Sequence, residues 1–302
     1  MAFDNKYHIP VLLNESVDGL CIKPDGIYVD LTFGGGGHSR EILKRLNKGK
    51  LLGFDQDADA ERNILDDRRF IFVRHNFRFL KNFLRYYGIE KVDGILGDFG
   101  VSSHQFDEAE RGFSFRVDAR MDMRMNRKAE FSALNLLKEY SEEKLFKVFK
   151  EYGEINNAKK LTALITNYRR TNEICRTQQF VDLIKPLVPE KTRNKYLAKV
   201  FQALRYEVTG EIKSLKELLL QTPDVIKNGG MISLISYNSI EDRLVKNFFK
   251  YGKLKGDVEK DIYGNFSTPF KTINNKVIVP NEVELKHNPR SRSAKLRIAE
   301  RI

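Results

Sequence analysis

Over residues 28–98 apolar and polar positions alternate in blocks of regular length. Residues 28–31 form an apolar run rich in β-formers, Gly34-Gly35-Gly36-Gly37 follow, and Glu41-Ile42-Leu43-Lys44-Arg45-Leu46 has the spacing of an amphipathic helix. The rhythm then repeats, with strands expected at 50–55, 70–73 and 92–98 and helices at 57–65 and 77–87. Strands alternating with helices of about ten residues predict βαβ units and a parallel sheet. Ahead of the first strand, a short helical pattern at 14–20 ends at Pro24-Asp25-Gly26 and reads as a lead-in packed beside that strand.

At Gly100 the pattern changes. Leu134-Leu137-Tyr140, Leu145-Val148-Phe149-Tyr152, Leu161-Leu164-Ile165-Tyr168 and Phe180-Leu183-Ile184 are all spaced for helices, and strand patterning is scarce from 104 to 208. So long a helical stretch exceeds any single crossover, because connections are mostly short. We therefore expect an inserted all-helical, substrate-recognition domain at 104–208, interrupting an α/β domain formed by 1–103 and 209–302. The α/β pattern resumes with a helix at 211–220, a turn at Lys227-Asn228-Gly229-Gly230, a strand at 231–236 and a helix at 241–249. Two weaker strand candidates, 276–279 and 294–299, are expected to close a sheet edge.

Composition narrows the functional classes. The chain has 302 residues, enough for a substantial core, with 41% hydrophobic and 31% charged. It contains no apolar run of the length needed to span a membrane, and Met1-Ala2-Phe3-Asp4-Asn5-Lys6 lacks the apolar segment of a secretory signal. A soluble protein of the reducing cytoplasm is expected. Cys21 and Cys175 are the only cysteines, with no CxxC and no Cys/His cluster, so a disulfide framework and a metal site are not expected. The formal charge is +12, from 53 basic and 41 acidic residues. Residues 158–205 hold eleven Lys/Arg against three acids, a net +8 and two thirds of the whole excess. Such a stretch is either a solvated surface or a polyanion-binding face, and its concentration in one segment favours RNA phosphate as the partner.

In an open parallel sheet, ligands bind beyond the carboxyl ends of the strands. Three such ends carry candidate chemistry: the glycines after the first, Asp55 after the second and Asp98 after the fourth. A lone glycine cluster fits either a surface turn or a ligand cradle, since glycines allow positive φ and close approach at a helix's positive end. Asp55 lies about twenty residues past the turn, where an acid accepts the hydroxyls of a cofactor ribose. Its alternative task, capping the next helix, suits Asp57 better. Reading Gly34 to Ser39 as GxGxxG puts serine at the sixth position, and the turn holds no basic residue for a pyrophosphate. S-adenosylmethionine, which has no phosphate, fits better than a dinucleotide. After Asp98 come Ser102 and Ser103, a carboxylate and two hydroxyls able to accept hydrogen bonds from an exocyclic amine, although serines there also serve as caps. Neither cysteine lies at a strand end, so an amine acceptor fits better than a pyrimidine ring carbon.

Seven motifs in order extend this reading: 28–39, 98–103, Glu110-Arg111-Gly112-Phe113-Ser114-Phe115-Arg116, Met121-Asp122-Met123-Arg124-Met125, Phe201-Gln202-Ala203-Leu204-Arg205, 235–243 (Ile235-Ser236-Tyr237-Asn238 through Arg243) and 288–301 (Asn288-Pro289-Arg290-Ser291-Arg292 through Arg301). Together they resemble the bacterial family that methylates N4 of a cytosine in small-subunit ribosomal RNA, over nearly the whole chain. The resemblance implies a Rossmann-like class I methyltransferase fold with an inserted helical domain, S-adenosylmethionine as donor and a cytosine of the decoding region as acceptor. By motif, Gly34, Gly36, Gly37, His38, Asp55, Phe77, Asp98 and Gln105 would contact the cofactor, with Asp98, Ser102 and Ser103 catalytic. Arg111, Arg116, Arg124, Arg205, Ser236, Tyr237 and Asn238 would meet the substrate. The partner would be the ribosomal RNA or the assembled small subunit, and a homodimer is compatible with the sequence. The target base must leave its stack, which single-stranded or loop RNA permits most cheaply.

Three positions depart from the family pattern. Asn238 stands where the family usually has histidine, Thr209-Gly210 replaces an asparagine-containing pair, and Ala119-Arg120 replaces Pro-Leu. Asn238 cannot act as a general base. A non-catalytic RNA-binding assembly factor that retains the cofactor fold is the alternative function.

Overall fold

The computed structural model describes residues 10–99, 111–125, 129–255, 267–274 and 276–302. The chain divides into two compact units, Met1–Gly100 with Lys213–Ile302, and Val101–Ile212.

The first unit is built on seven strands: β1 (Ile27–Asp30), β2 (Lys50–Asp55), β3 (Phe70–Arg74), β4 (Val92–Asp98), β5 (Ile226–Ser236), β6 (Phe270–Thr272) and β7 (Lys295–Arg301). Their order across the sheet is β3-β2-β1-β4-β5-β7-β6. The first five run parallel, and β7 runs antiparallel to both β5 and β6. Residues Val92 to Gly97 of β4 are all buried, as expected of a central strand covered on both faces. Helices α1 (Leu13–Asp18), α2 (Gly37–Arg45) and α3 (Leu80–Tyr86) belong to the amino-terminal half of this unit. One buried cluster joins Val17 and Leu20 of the lead-in to Ile42, Leu43, Leu51, Leu96 and Leu296. The strand order with one reversed strand is the Rossmann-like class I methyltransferase arrangement, and its reversal point at β1 and β4 is where such sheets bind ligands.

Several expected elements take different forms. The helix expected at 57–65 is a 3₁₀ helix, Ala58–Asn63, capped by Asp57, whose side chain accepts from Asp59 N at 3.1 Å. Its six residues include one buried side chain, Ala60, too little apolar surface to hold a longer helix against the sheet. Residues 227–230, expected as a turn, form an excursion inside β5: the register with β4 jumps from Val92↔Ile226 to Gly94↔Met231. Strand β7 lies between β5 and β6, not at an edge. At 276–279 there is a single bridge, Ile278↔Leu296, and the edge is β6, whose three residues are too few for a period-two pattern to emerge.

The second unit carries α4 (Ala133–Glu139), α5 (Glu142–Glu151), α6 (Ala158–Tyr168), α7 (Thr177–Ile184) and the 20-residue α8 (Glu190–Thr209). They enclose a separate core that includes Leu136, Phe149, Leu161, Ile165, Phe180 and Leu204. Ser132 and Asn135 close α4 with a capping box, and Ser141 caps α5. Helix α9 (Glu211–Val225) follows, running through Pro223. Among the described residues no helix is long and apolar enough to cross a membrane. No group of three or more His, Cys, Asp or Glu among them could hold a metal ion.

Candidate active site

The glycine turn after β1 is fastened from both sides. Gly34 N donates to Asp55 Oδ2 at 2.8 Å, and Gly34 O accepts from Asn63 Nδ2 at 3.0 Å. Gly34 and Gly36 have φ of 49° and 74°, which a residue bearing Cβ adopts only with strain. A Cβ added at Gly34 would meet nothing nearer than 3.9 Å and one at Gly35 nothing within 4 Å, so both face open space. Gly37 differs: a Cβ there would lie 2.8 Å from Pro10 Cγ, so this glycine allows the lead-in to pack on α2. His38 likewise turns inward, with Nε2 3.1 Å from Val11 O.

Beneath the turn, Asp30 is 1% exposed and accepts from Ser39 Oγ at 2.6 Å and Thr32 N at 3.0 Å. Burial pushes its carboxyl above the usual range, while His38 and the Ser39 hydrogen bond oppose the rise. Sequence reasoning did not single out Asp30, Thr32 or Asn63. A charged residue ending an otherwise apolar strand was the available signal for Asp30.

At the end of β2, Asp55 spends one oxygen on Gly34 N and the other on Asp57 N, each at 2.8 Å. Burial pushes its carboxyl up to about 6, against the pull of those two backbone donors. Phe77 lies half-buried just past β3, with its ring centroid 5.6 Å from that of Phe99, the residue after β4. Asn76 caps the 3₁₀ turn carrying Phe77 and donates through Nδ2 to Gln56 Oε1 at 2.9 Å, joining the ends of β3 and β2.

Asp98 ends β4. Its backbone N donates to Thr32 Oγ1 at 2.7 Å, which ties β4 to the start of the glycine turn. Its carboxylate accepts from the Tyr237 hydroxyl; burial first, then the Asp98 charge, raises the tyrosine far above its ordinary value and keeps the donor protonated. Tyr237 directly follows β5, after Ser236, which is 2% exposed. Asn238 caps α10 (Ser239–Tyr251): its Oδ1 accepts from Ile240 N at 3.0 Å, and Glu241 Oε2 accepts from Tyr237 N and Asn238 N at 3.0 and 3.2 Å.

The structure thus gathers Gly34, Gly36, Asp55, Phe77, Asp98 and Tyr237 at the carboxyl ends of β1 to β5. Ser102, Ser103 and Gln105 lie outside the described residues. Three of the four arginines expected at the substrate have internal tasks in the helical unit. Arg111, 8% exposed, donates through Nη2 to the carbonyls of Arg124 and Met125 at 2.6 and 2.7 Å. Arg124 forms a two-point pair with Asp122, at 2.8 and 2.7 Å, and donates to Ala129 O. Arg205 Nε lies 3.2 Å from Glu211 Oε1. These arginines hold loop and helix ends, because buried or two-point guanidinium pairs fix geometry more than they offer donors. Arg116 alone of the four is exposed, lying over the Phe115 ring. On the same unit, Lys159, Lys160, Arg170, Lys191 and Lys195 are exposed and have no ion pair among the described residues, whereas Arg176 and Lys185 pair with Asp118 and Asp182.

Comparison with known proteins adds kinship to this geometry. The chain matches the model described as the MraW methylase family over residues 5–302. It is 57% identical over 296 residues to Ribosomal RNA small subunit methyltransferase H of Bacteroides thetaiotaomicron, covering 98% of this chain and 97% of that protein. The protein of that name from Christiangramia forsetii is 57% identical over 298 residues, 98% of each chain. The one from Flavobacterium johnsoniae is 56% identical over 303 residues, the full length of both. Because the match runs through the strand-end constellation and the helical unit alike, this chain belongs to the MraW methylase family.

Proposed function

We propose that this enzyme transfers a methyl group from S-adenosylmethionine to N4 of a cytidine in the decoding region of small-subunit ribosomal RNA. The observation that carries the reading is end-to-end kinship with proteins named for small-subunit RNA methylation. The strand ends fit the cofactor: Gly34 and Gly35 face space a side chain would fill, and Asp55 offers a carboxylate two residues before the next turn. The glycine turn would take the methionine portion, Asp55 the ribose hydroxyls, and the half-buried Phe77 and Phe99 the adenine edge. When bound, S-adenosylmethionine supplies an electrophilic methyl group on a sulfonium.

The protein's part is to aim the acceptor. Asp98 accepts a hydrogen bond from the N4 amine, which turns the nitrogen lone pair towards the methyl group and stabilises the positive charge that develops there. Tyr237 donates to the Asp98 carboxylate and Thr32 accepts from the Asp98 backbone N, so the side chain and the strand end that carries it are each held. Ser102 and Ser103 share the amine's remaining contacts. Asn238 holds no proton-accepting position, its carbonyl being committed to the α10 cap, so the N4 proton leaves to Asp98 or to water. The exposed lysines and arginines of the helical unit bind RNA phosphates in the cytoplasm, on free RNA or on the assembled subunit.

Nucleoside analysis of small-subunit RNA from cells lacking the protein tests the assignment. One N4-methylated cytidine should disappear and return on re-expression; an unchanged nucleoside profile would withdraw it.

A further inference from the structure

The motif at 288–301 has no part in the mechanism above, yet its geometry is specific. Residues 286–297 contain Lys286, Arg290, Arg292, Lys295 and Arg297 and no acid. Strand β7 runs antiparallel to β5, and Lys295 pairs with Ser236, the residue before Tyr237. The motif therefore begins at the carboxyl ends of the parallel strands. Asp98 pairs with Ile235 on β5, so Lys295 lies two strand spacings away, about 10 Å.

Lys295 and Arg297 share a single local carboxylate. Asp242 accepts from Arg297 Nε at 2.6 Å and from Lys295 Nζ at 3.4 Å. Lys286, Arg290 and Arg292 remain exposed, and neither Lys286 nor Arg292 has an ion pair among the described residues. Their presentation is fixed. Ser291 is fully buried, and its Oγ donates to Asn288 O at 2.8 Å, so in the turn Pro289–Ser293 the flanking arginines are left on the surface. The preceding helix, α11 (Glu282–His287), is anchored by Glu284, whose Oε1 accepts from Leu12 N at 2.8 Å. At the opposite end of the sheet Lys23 and Lys227 are paired with the 7%-exposed Asp93, while Lys48 and Lys50 are exposed without an ion pair among the described residues.

Lys286 and Arg292 are thus exposed, without an ion pair among the described residues and on a braced turn, at the end of the sheet where the base would be presented. We infer that Lys286, Arg290 and Arg292 form a second RNA-backbone contact, on the catalytic unit itself, binding the phosphates next to the target cytidine. This rests on the proposed RNA substrate.

The test uses the full chain and a fluorescent single-stranded RNA carrying the target segment, with affinity measured across a salt series. Lys286→Gln with Arg292→Gln should weaken binding roughly tenfold and lower the salt slope by about 1.4, the counterion release of two single-strand phosphate contacts. Retained S-adenosylmethionine affinity establishes that the variant is folded. Lys286→Arg with Arg292→Lys, which keeps the charge, should bind as the parent does. Unchanged affinity and slope in the glutamine pair would overturn the inference. So would an equal loss in Lys48→Gln with Lys50→Gln, at the far end of the sheet, because net charge alone would then explain it. Weaker binding to small subunits with undiminished binding to protein-free RNA would also overturn it, in favour of a ribosomal protein contact. If the RNA substrate itself is wrong, the unmutated chain binds the target segment no better than a scrambled RNA of equal length, which separates that failure from this one.

Discussion

Asp55 holds the glycine turn through Gly34 and its own loop through Asp57, and burial raises its carboxyl from 3.8 to about 6. The raised value sets two signs. The folded chain binds the proton more tightly than the unfolded one, so the stability contributed by Asp55 is full below pH 3.8 and is lost as pH rises through about 6. Ribose hydroxyls, however, donate best to the ionised carboxylate, so cofactor affinity rises over the same window. Calorimetric titration should give several-fold tighter binding at about pH 7.5 than at about pH 5. In Asp55→Asn the pH dependence should vanish and the affinity fall by about 10- to 100-fold, the worth of a hydrogen bond to a charged group. A pH-independent parent would remove the ribose role from Asp55.

Among the elements, α10 shows most clearly how local structure occupies a residue that motif comparison assigns elsewhere. Asn238 and Glu241 satisfy the first backbone donors of that helix between them. Asn238→Ala should therefore cost about 1 kcal/mol of stability in denaturant unfolding, while leaving the pH dependence of methyl transfer unaltered. Unchanged stability with an altered pH profile would make Asn238 a participant in proton transfer. The elements that position the site were legible because their signals are local: β2 and β4 follow period and composition, and Asp55 and Asp98 stand at their carboxyl ends. The tasks of Arg111 and Arg124 were not legible, since the partners are backbone carbonyls and an adjacent aspartate that also match an RNA-facing loop. Strand β6 was missed because tertiary pairing with β7, not patterning, makes three residues a strand.

Across the whole molecule, the two units have separate cores. The sheet unit fixes a carboxylate at a strand end, and the helical unit builds its own interior and leaves cations outside. The basic turn beside β7 emerged only once the antiparallel pairing placed it at the carboxyl ends of the parallel strands. Methyl transfer by the full chain, with product nucleosides identified after digestion of small-subunit RNA, tests the central claim most directly when parent and Asp98→Ala are compared at matched cofactor occupancy. The parent should yield N4-methylcytidine, and the variant should be slower by about 100- to 1,000-fold, as for loss of one preorganised charge-stabilising group. Transfer by Asp98→Ala at the parental rate, or a methyl group recovered on any other atom, would contradict the account.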